Sequence, residues 1–306
     1  MACFGVTKGH GKRSSAKWAR LFLSLLAIYL MLRWFEYRQV YQPCRGLETT
    51  GSDLGRPFED VSFQTSDGVR LNGWFFPCDN DSPREHLVYL LCHGNAGNIS
   101  HRLDHCAALL ETGASVFIFD YRGYGRSKGR PSEEGTYRDA QAAHQWLRQR
   151  RFAATHIIAL GESLGGGVAS ELALRERVGG LILQGTYTSI TDVGAELFWW
   201  LPVRRMNTIK YDTHHKLPRI HVPVLILHSR SDGLIGFHHA EKNLAAANDP
   251  KMLWEIAGKH NQFLEAGRRR YLELAAEELA AADDVGQRLV RQPPGEQALK
   301  RSARFR

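Results

Sequence analysis

Cysteine is scarce in this sequence. Five occur in 306 residues, Cys3, Cys44, Cys78, Cys92 and Cys106, with no CxxC pair and no histidine at zinc-finger spacing. That spacing argues against structural zinc, and no disulfide is assigned. Cys92 lies in an apolar run and reads as a small buried hydrophobe. No internal repeat is present, and 29 glycines and 11 prolines without a period exclude a collagen-like chain. A basic folded body is missing too. The total charge is +8, but residues 1–48 carry eight Lys/Arg against Glu36 and Glu48, net +6, and residues 286–306 carry six against Glu296, net +5. The middle is therefore at −3, and a nucleic-acid partner, which needs a basic footprint on the domain, is not expected. Residues 286–306, broken by Pro293, Pro294 and Gly295, read as a basic disordered tail.

Long apolar runs are also few, and the chief one lies near the N-terminus. Leu21 to Leu32 carry no charge, and as a helix they span only about 18 Å. Extension to residues 18–35 gives about 27 Å, close to a bilayer core, with Arg20 and Arg33 snorkelling toward the head groups. Lys8, Lys12, Arg13, Lys17 and Arg20 in the basic segment 1–20 precede the run, which predicts a cytoplasmic N-terminus and a body on the non-cytoplasmic side. A cleaved secretory signal opens the same way, but MLRWFEYRQVYQ offers no small-X-small cleavage site, so an uncleaved signal anchor is favoured. A buried core helix fits poorly behind a cationic stretch. The membrane is thus an expected partner.

Residues 50–285 read as one α/β domain. VSFQT and VRLNGWFF flank Ser66-Asp67-Gly68 and alternate in polarity, which predicts an antiparallel hairpin. HLVYLLCHG, ASVFIFDYRG, HIIALGES, GLILQGTYT and VPVLILHSRSD are short continuous apolar runs, as in strands buried on both faces of a mostly parallel twisted sheet. Helical stretches lie between them, including one behind a Ser132 cap. Residues 189–220 separate two strands by more than a crossover needs and read as a short cap insertion. Its Leu197, Phe198, Trp199, Trp200 and Leu201 are expected to pack onto the sheet, with a substrate-facing or bilayer-facing surface as the alternative.

The sharpest motif is Gly161-Glu162-Ser163-Leu164-Gly165, a GxSxG between the strand HIIAL and a helix starting near Leu164. A serine raised on so tight a turn requires residues of little bulk two positions away, and Gly161 and Gly165 supply them. A serine hydroxyl needs a base, and the base an acceptor that fixes its tautomer. His260, in GKHNQF after MLWEIAG, is the candidate base. Asp232, at the end of VPVLILH in SRSDGLIG, is the candidate acid, with Asp192 as runner-up. His238 and His239 fall in a helix, His214 and His215 in the cap and His144 in another helix, all more simply surface or packing residues. Adjacent histidines in regular structure point apart, so neither pair argues strongly for a metal. Two N–H donors must meet the developing oxyanion. The Leu164 amide is one; Asn95 in His93-Gly94-Asn95-Ala96-Gly97-Asn98 is the first choice for the other, Ala96 the alternative, and His93 is read as structural.

HGNAGN, DYRGYGRSKG, GESLGG, HSRSDGLI and GKHN, in this order, resemble the α/β-hydrolase superfamily over roughly residues 57–282, and within it the membrane-anchored serine hydrolases with a short cap. That group includes lysophospholipid and monoacylglycerol hydrolases and protein depalmitoylases. The resemblance implies an α/β-hydrolase fold, the chain order Ser163, Asp232, His260, and cleavage of a small ester, thioester or lipid substrate without a metal or organic cofactor. Lys259 stands where such families often carry a small residue. A peptidase or small-ester hydrolase is the enzymatic alternative, and a membrane-tethered binding module the other.

Overall fold

The structure is a computed structural model that describes residues 10–260, with 262, 268, 273, 275 and 277. The expected tail at 286–306 and the first nine residues lie outside the described residues. The chain divides into two units, residues 1–41 and 42–306.

The first unit is the helix α1 (His10–Val40). Its stretch Lys17–Val40, 24 residues, is long and apolar enough to cross a membrane by length and composition, about 36 Å at helical rise. The helix runs beyond 18–35 at both ends because no proline occurs before Pro43. Glu36, the acidic residue of this stretch, pairs with Arg33 at 2.7 Å, one turn away.

The second unit holds the strands β1 (Gln42–Pro43), β2 (Glu59–Gln64), β3 (Arg70–Phe76), β4 (Val88–Cys92), β5 (Ala96–Gly97), β6 (Ser115–Phe119), β7 (Ile157–Glu162), β8 (Gly180–Gln184), β9 (Val224–His228) and β10 (Lys251–Glu255). The main sheet has the order β10-β9-β8-β7-β4-β6-β3-β2, while β1 and β5 form a short parallel pair of their own. From β6 to β10 all neighbours are parallel; β3 is antiparallel to both β6 and β2. The hairpin forms because Gly68 adopts φ +81°, which its missing Cβ permits, and the Thr65 hydroxyl accepts the Val69 N–H at 2.9 Å. Every residue of β4, β6, β7, β8 and β9 is buried, which is why those segments read as unbroken apolar runs.

Helices α2 (Leu103–Leu110), α3 (Glu133–Gln149), α4 (Leu164–Arg175) and α7 (His238–Ala246) flank the sheet. The Ser132 hydroxyl caps α3, accepting the Gly135 N–H at 3.1 Å. Residues 189–220 hold α5 (Ile190–Leu197), α6 (Val203–Met206) and a 3₁₀ turn. Here one expectation fails. Trp199 and Trp200 do not pack onto the sheet; they are 82% and 65% exposed, and Leu197 is exposed as well. The reason is local: α5 ends at Leu197, and the turn before Pro202 carries both indoles to its outer side.

Candidate active site

β7 ends at Glu162 and α4 begins at Leu164, so Ser163 alone makes the turn between them. Its φ of +52° is in the sterically disfavoured half of dihedral space for a residue with a Cβ. Such a turn is held only if strand and helix approach closely. A Cβ on Gly161 would lie 2.3 Å from the Gly165 carbonyl oxygen, and one on Gly165 would lie 1.9 Å from the Cys92 carbonyl oxygen. Both obstacles are backbone, so no side chain could swing aside.

His260 Nε2 lies 3.0 Å from Ser163 Oγ, and its Nδ1 lies 2.6 Å from Asp232 Oδ2. With Nδ1–H donating to the carboxylate, Nε2 is left as acceptor for the serine hydroxyl. The three meet because β7, β8, β9 and β10 are parallel neighbours, so the loops after β7, β9 and β10 open at one edge. Between them, Gly185 at the end of β8 would place a Cβ 3.4 Å from the His260 ring. The N–H groups of Leu234 and Ile235 donate to Asp232 Oδ1, each at 2.9 Å. Burial pushes the Asp232 carboxyl up, but the bonds from His260, Ile235 and Leu234 outweigh it and hold the pKa below the ordinary carboxylate value. The runner-up Asp192 is engaged elsewhere: it accepts from the Thr188 and Ser189 hydroxyls at 2.7 and 2.8 Å and pairs with Arg204 at 2.5 Å.

Asn95 and Ala96 line the same cavity as Ser163 and His260. The Asn95 carbonyl accepts from Tyr124 Oη at 2.8 Å and from the Gln42 N–H at 3.1 Å, which fixes the loop. Leu164 is the first residue of α4, so its N–H has no intrahelical acceptor. His93 is fully buried and its Nδ1 lies 2.7 Å from the Gly94 carbonyl. Burial, then the nearby Arg102 charge, lower its pKa to about 3, so it is a neutral packing group. Cys92 and Cys106 are buried and their thiols are pushed up to about 12 by burial, which keeps them protonated. Lys259 is exposed.

The cavity, about 560 Å³, contains one feature that reasoning from sequence missed. Its wall includes Glu162, one of the two variable positions of the motif, with Arg102, His105, His101 and Asp104. Arg102 Nε donates to Glu162 Oε2 at 2.8 Å. Burial pushes the Glu162 carboxyl up, yet the Arg102 charge and His105 hold its pKa well below the ordinary range, so a compensated ion pair lies beside the serine. Glu162 stood inside the motif; nothing in the sequence around Arg102 marked it as its partner 60 residues away.

Residues 89–216 match the family model described as alpha/beta hydrolase fold. The chain is 38% identical to uncharacterized protein Rv2307c of Mycobacterium tuberculosis over 75% of this chain and 82% of that one. It is 32% identical to the alpha/beta hydrolase domain-containing protein WAV2 of Arabidopsis thaliana, over 71% of this chain and 78% of the relative. Among solved structures, the Pyrococcus furiosus esterase Pf2001 superposes with a TM-score of 0.65 at 22% identity, covering 78% of this chain and 98% of the esterase. A parallel sheet with one antiparallel strand, a serine on a one-residue turn after β7, and these relatives lead to one assignment: the chain belongs to the α/β-hydrolase family.

Proposed function

We propose that this protein is a serine hydrolase that cleaves carboxylic ester or thioester bonds of lipid-like or acylated substrates through an acyl-enzyme. Ser163 attacks the acyl carbonyl while His260 takes its proton. The Asp232 carboxylate orients the imidazole and stabilises the imidazolium. The Asn95 and Leu164 amides stabilise the oxyanion, His260 returns the proton to the leaving group, and water then releases the acid. The observation that carries this reading is the unbroken relay of 3.0 Å and 2.6 Å from Ser163 through His260 to Asp232.

Two features support the lipid-like class. The N-terminal helix is long enough to tether the chain to a bilayer, and the exposed Trp199 and Trp200 are the residue type that partitions into the lipid head-group region. In this reading the helix is an uncleaved anchor with its N-terminus cytoplasmic and residues 189–220 form the cap. The polar wall formed by Arg102, Glu162, His101 and Asp104 favours a second reading, hydrolysis of a small polar ester. Turnover of a series of acyl esters from short to long chain separates the two: a rate rising with chain length supports the first, and a rate falling from the shortest ester supports the second. Ser163→Ala should abolish turnover in either case, and retained turnover would refute the serine mechanism.

A further inference from the structure

A second cluster of chemically able side chains lies outside the cavity. His238 and His239 open α7, and Glu196 is the penultimate residue of α5. His238 Nε2 lies 2.9 Å from Glu196 Oε1, and His239 Nε2 lies 3.2 Å from Glu196 Oε2. The two imidazoles, expected to diverge as helical neighbours, instead lie with ring centroids 4.3 Å apart. They converge because they occupy the first turn of α7, where α5 brings a carboxylate within reach of both. One ligand atom from each of the three residues lies within 4.8 Å of the others. Two ligands bound to zinc at 2.0–2.1 Å in tetrahedral geometry are about 3.3 Å apart, so small side-chain movements would suit the cluster to one ion.

We propose that Glu196, His238 and His239 bind a divalent first-row cation, with zinc as the best match to two imidazoles and a carboxylate. The site is anchored on one side and open on the other. His239 is fully buried, whereas the side chains of Glu196 and His238 are each 44% exposed and leave room for water as a further ligand. Behind His239, Thr188 faces the ring nitrogen that points away from Glu196. Thr188 Oγ1 lies 2.9 Å from His239 Nδ1 and gives its own hydrogen to Asp192 Oδ2 at 2.7 Å. That oxygen can therefore accept an Nδ1–H and leave Nε2 bare for the metal. The Thr188 N–H, 3.2 Å from Nδ1, favours the other tautomer in the metal-free protein, so binding moves the ring proton from Nε2 to Nδ1. The ion would clasp α5 to α7, whose start lies six residues beyond Asp232 on the same loop. Occupancy would thus brace the segment that carries the candidate catalytic acid, without a role in the bond-breaking step.

The test uses the full-length protein in detergent micelles, stripped with chelator and dialysed against micromolar zinc, with bound metal measured by mass spectrometry. A cobalt titration followed by visible absorption reports the ligand field. The proposal requires about one zinc per chain, a rise in thermal midpoint on zinc addition, and a loss of affinity of at least about tenfold in each of His238→Ala, Glu196→Gln and Thr188→Val. His239→Ala removes a buried ring, so the half-exposed His238 and Glu196 variants, checked for a native circular dichroism spectrum, keep the test decisive if it fails to fold. Absence of stoichiometric metal in the unmodified protein overturns the proposal. Binding that survives unchanged in the His238 and Glu196 variants overturns it equally, since the metal would then sit elsewhere.

Discussion

Replacing Gly165 by alanine tests whether the serine turn depends on close approach of strand and helix. The added Cβ would lie 1.9 Å from the Cys92 carbonyl oxygen, 2.5 Å from its carbon and 2.8 Å from the His93 carbonyl oxygen. Ordinary van der Waals contact begins about 1.5 Å farther out, and all three atoms are main chain at the end of β4, so relief requires α4 to move away from the sheet. Overpacking of a close-packed core costs about 1–3 kcal/mol; with no side chain able to yield, the expected cost is at the upper end, about 3 kcal/mol. For a domain of this size that lowers the thermal midpoint by roughly 6–12 °C. The function should suffer more than the fold. A displacement of Ser163 by about 1 Å from its 3.0 Å bond to His260 is enough to slow acylation by about 100-fold. Differential scanning fluorimetry and the rate of fluorophosphonate labelling measure the two effects. Gly46→Ala is the control: its Cβ would meet nothing within 4 Å, and its midpoint should stay at the unmodified value. A Gly165→Ala protein that melts within 2 °C of the unmodified one and labels at its rate would refute the argument about the turn.

Further perturbations separate other parts of the site. Asp232→Asn should lower kcat by roughly 10⁴-fold through loss of the correct His260 tautomer, whereas Asp192→Asn should change it less than about threefold; steady-state ester kinetics that reverse this ranking would mean the acid is wrongly assigned. Arg102→Ala leaves the buried Glu162 charge uncompensated and should cost about 3 kcal/mol in urea unfolding, and an unchanged midpoint would show that the carboxylate is not ionised. Asp120 is buried and its pKa is raised to about 7, chiefly by burial. Because the folded protein holds that proton more tightly than the unfolded chain, the contribution is fully present below pH 4 and is lost as pH rises through about 7. Asp120→Asn should therefore flatten the fall in stability between those pH values relative to the unmodified protein, and two parallel pH–stability curves would contradict the assignment. If the N-terminal helix is an uncleaved anchor, carbonate washing of membranes should leave tagged protein in the pellet, and complete release would exclude it.

Much of the scaffold was legible because its physics is local or periodic. Runs such as VYLLC and VLILH announce strands buried on both faces, and Ser132 followed by helical periodicity announces α3. Gly161 was legible for the same reason, since its Cβ would strike Gly165 four residues on, whereas Gly165, held against Cys92 of β4, was legible only through the motif. Helix α2 was not, since its eight residues are too few for periodicity to distinguish from a loop. The exposed Trp199 and Trp200 were misjudged because burial depends on which side of a turn faces the sheet, which composition cannot indicate. Pairings across long separations that no motif marks escaped. Arg102 with Glu162, and Glu196 with His238 and His239, are joined only by the order in which strands assemble.

In the proposed mechanism Ser163 is the nucleophile, made reactive by His260 and Asp232. Peptide mapping of the protein after exposure to a fluorophosphonate tests it most directly. One phosphonyl adduct per chain is expected, on the tryptic peptide containing Ser163, and it should be lost in His260→Ala. An adduct on another residue, or none in protein shown to be folded, would contradict it.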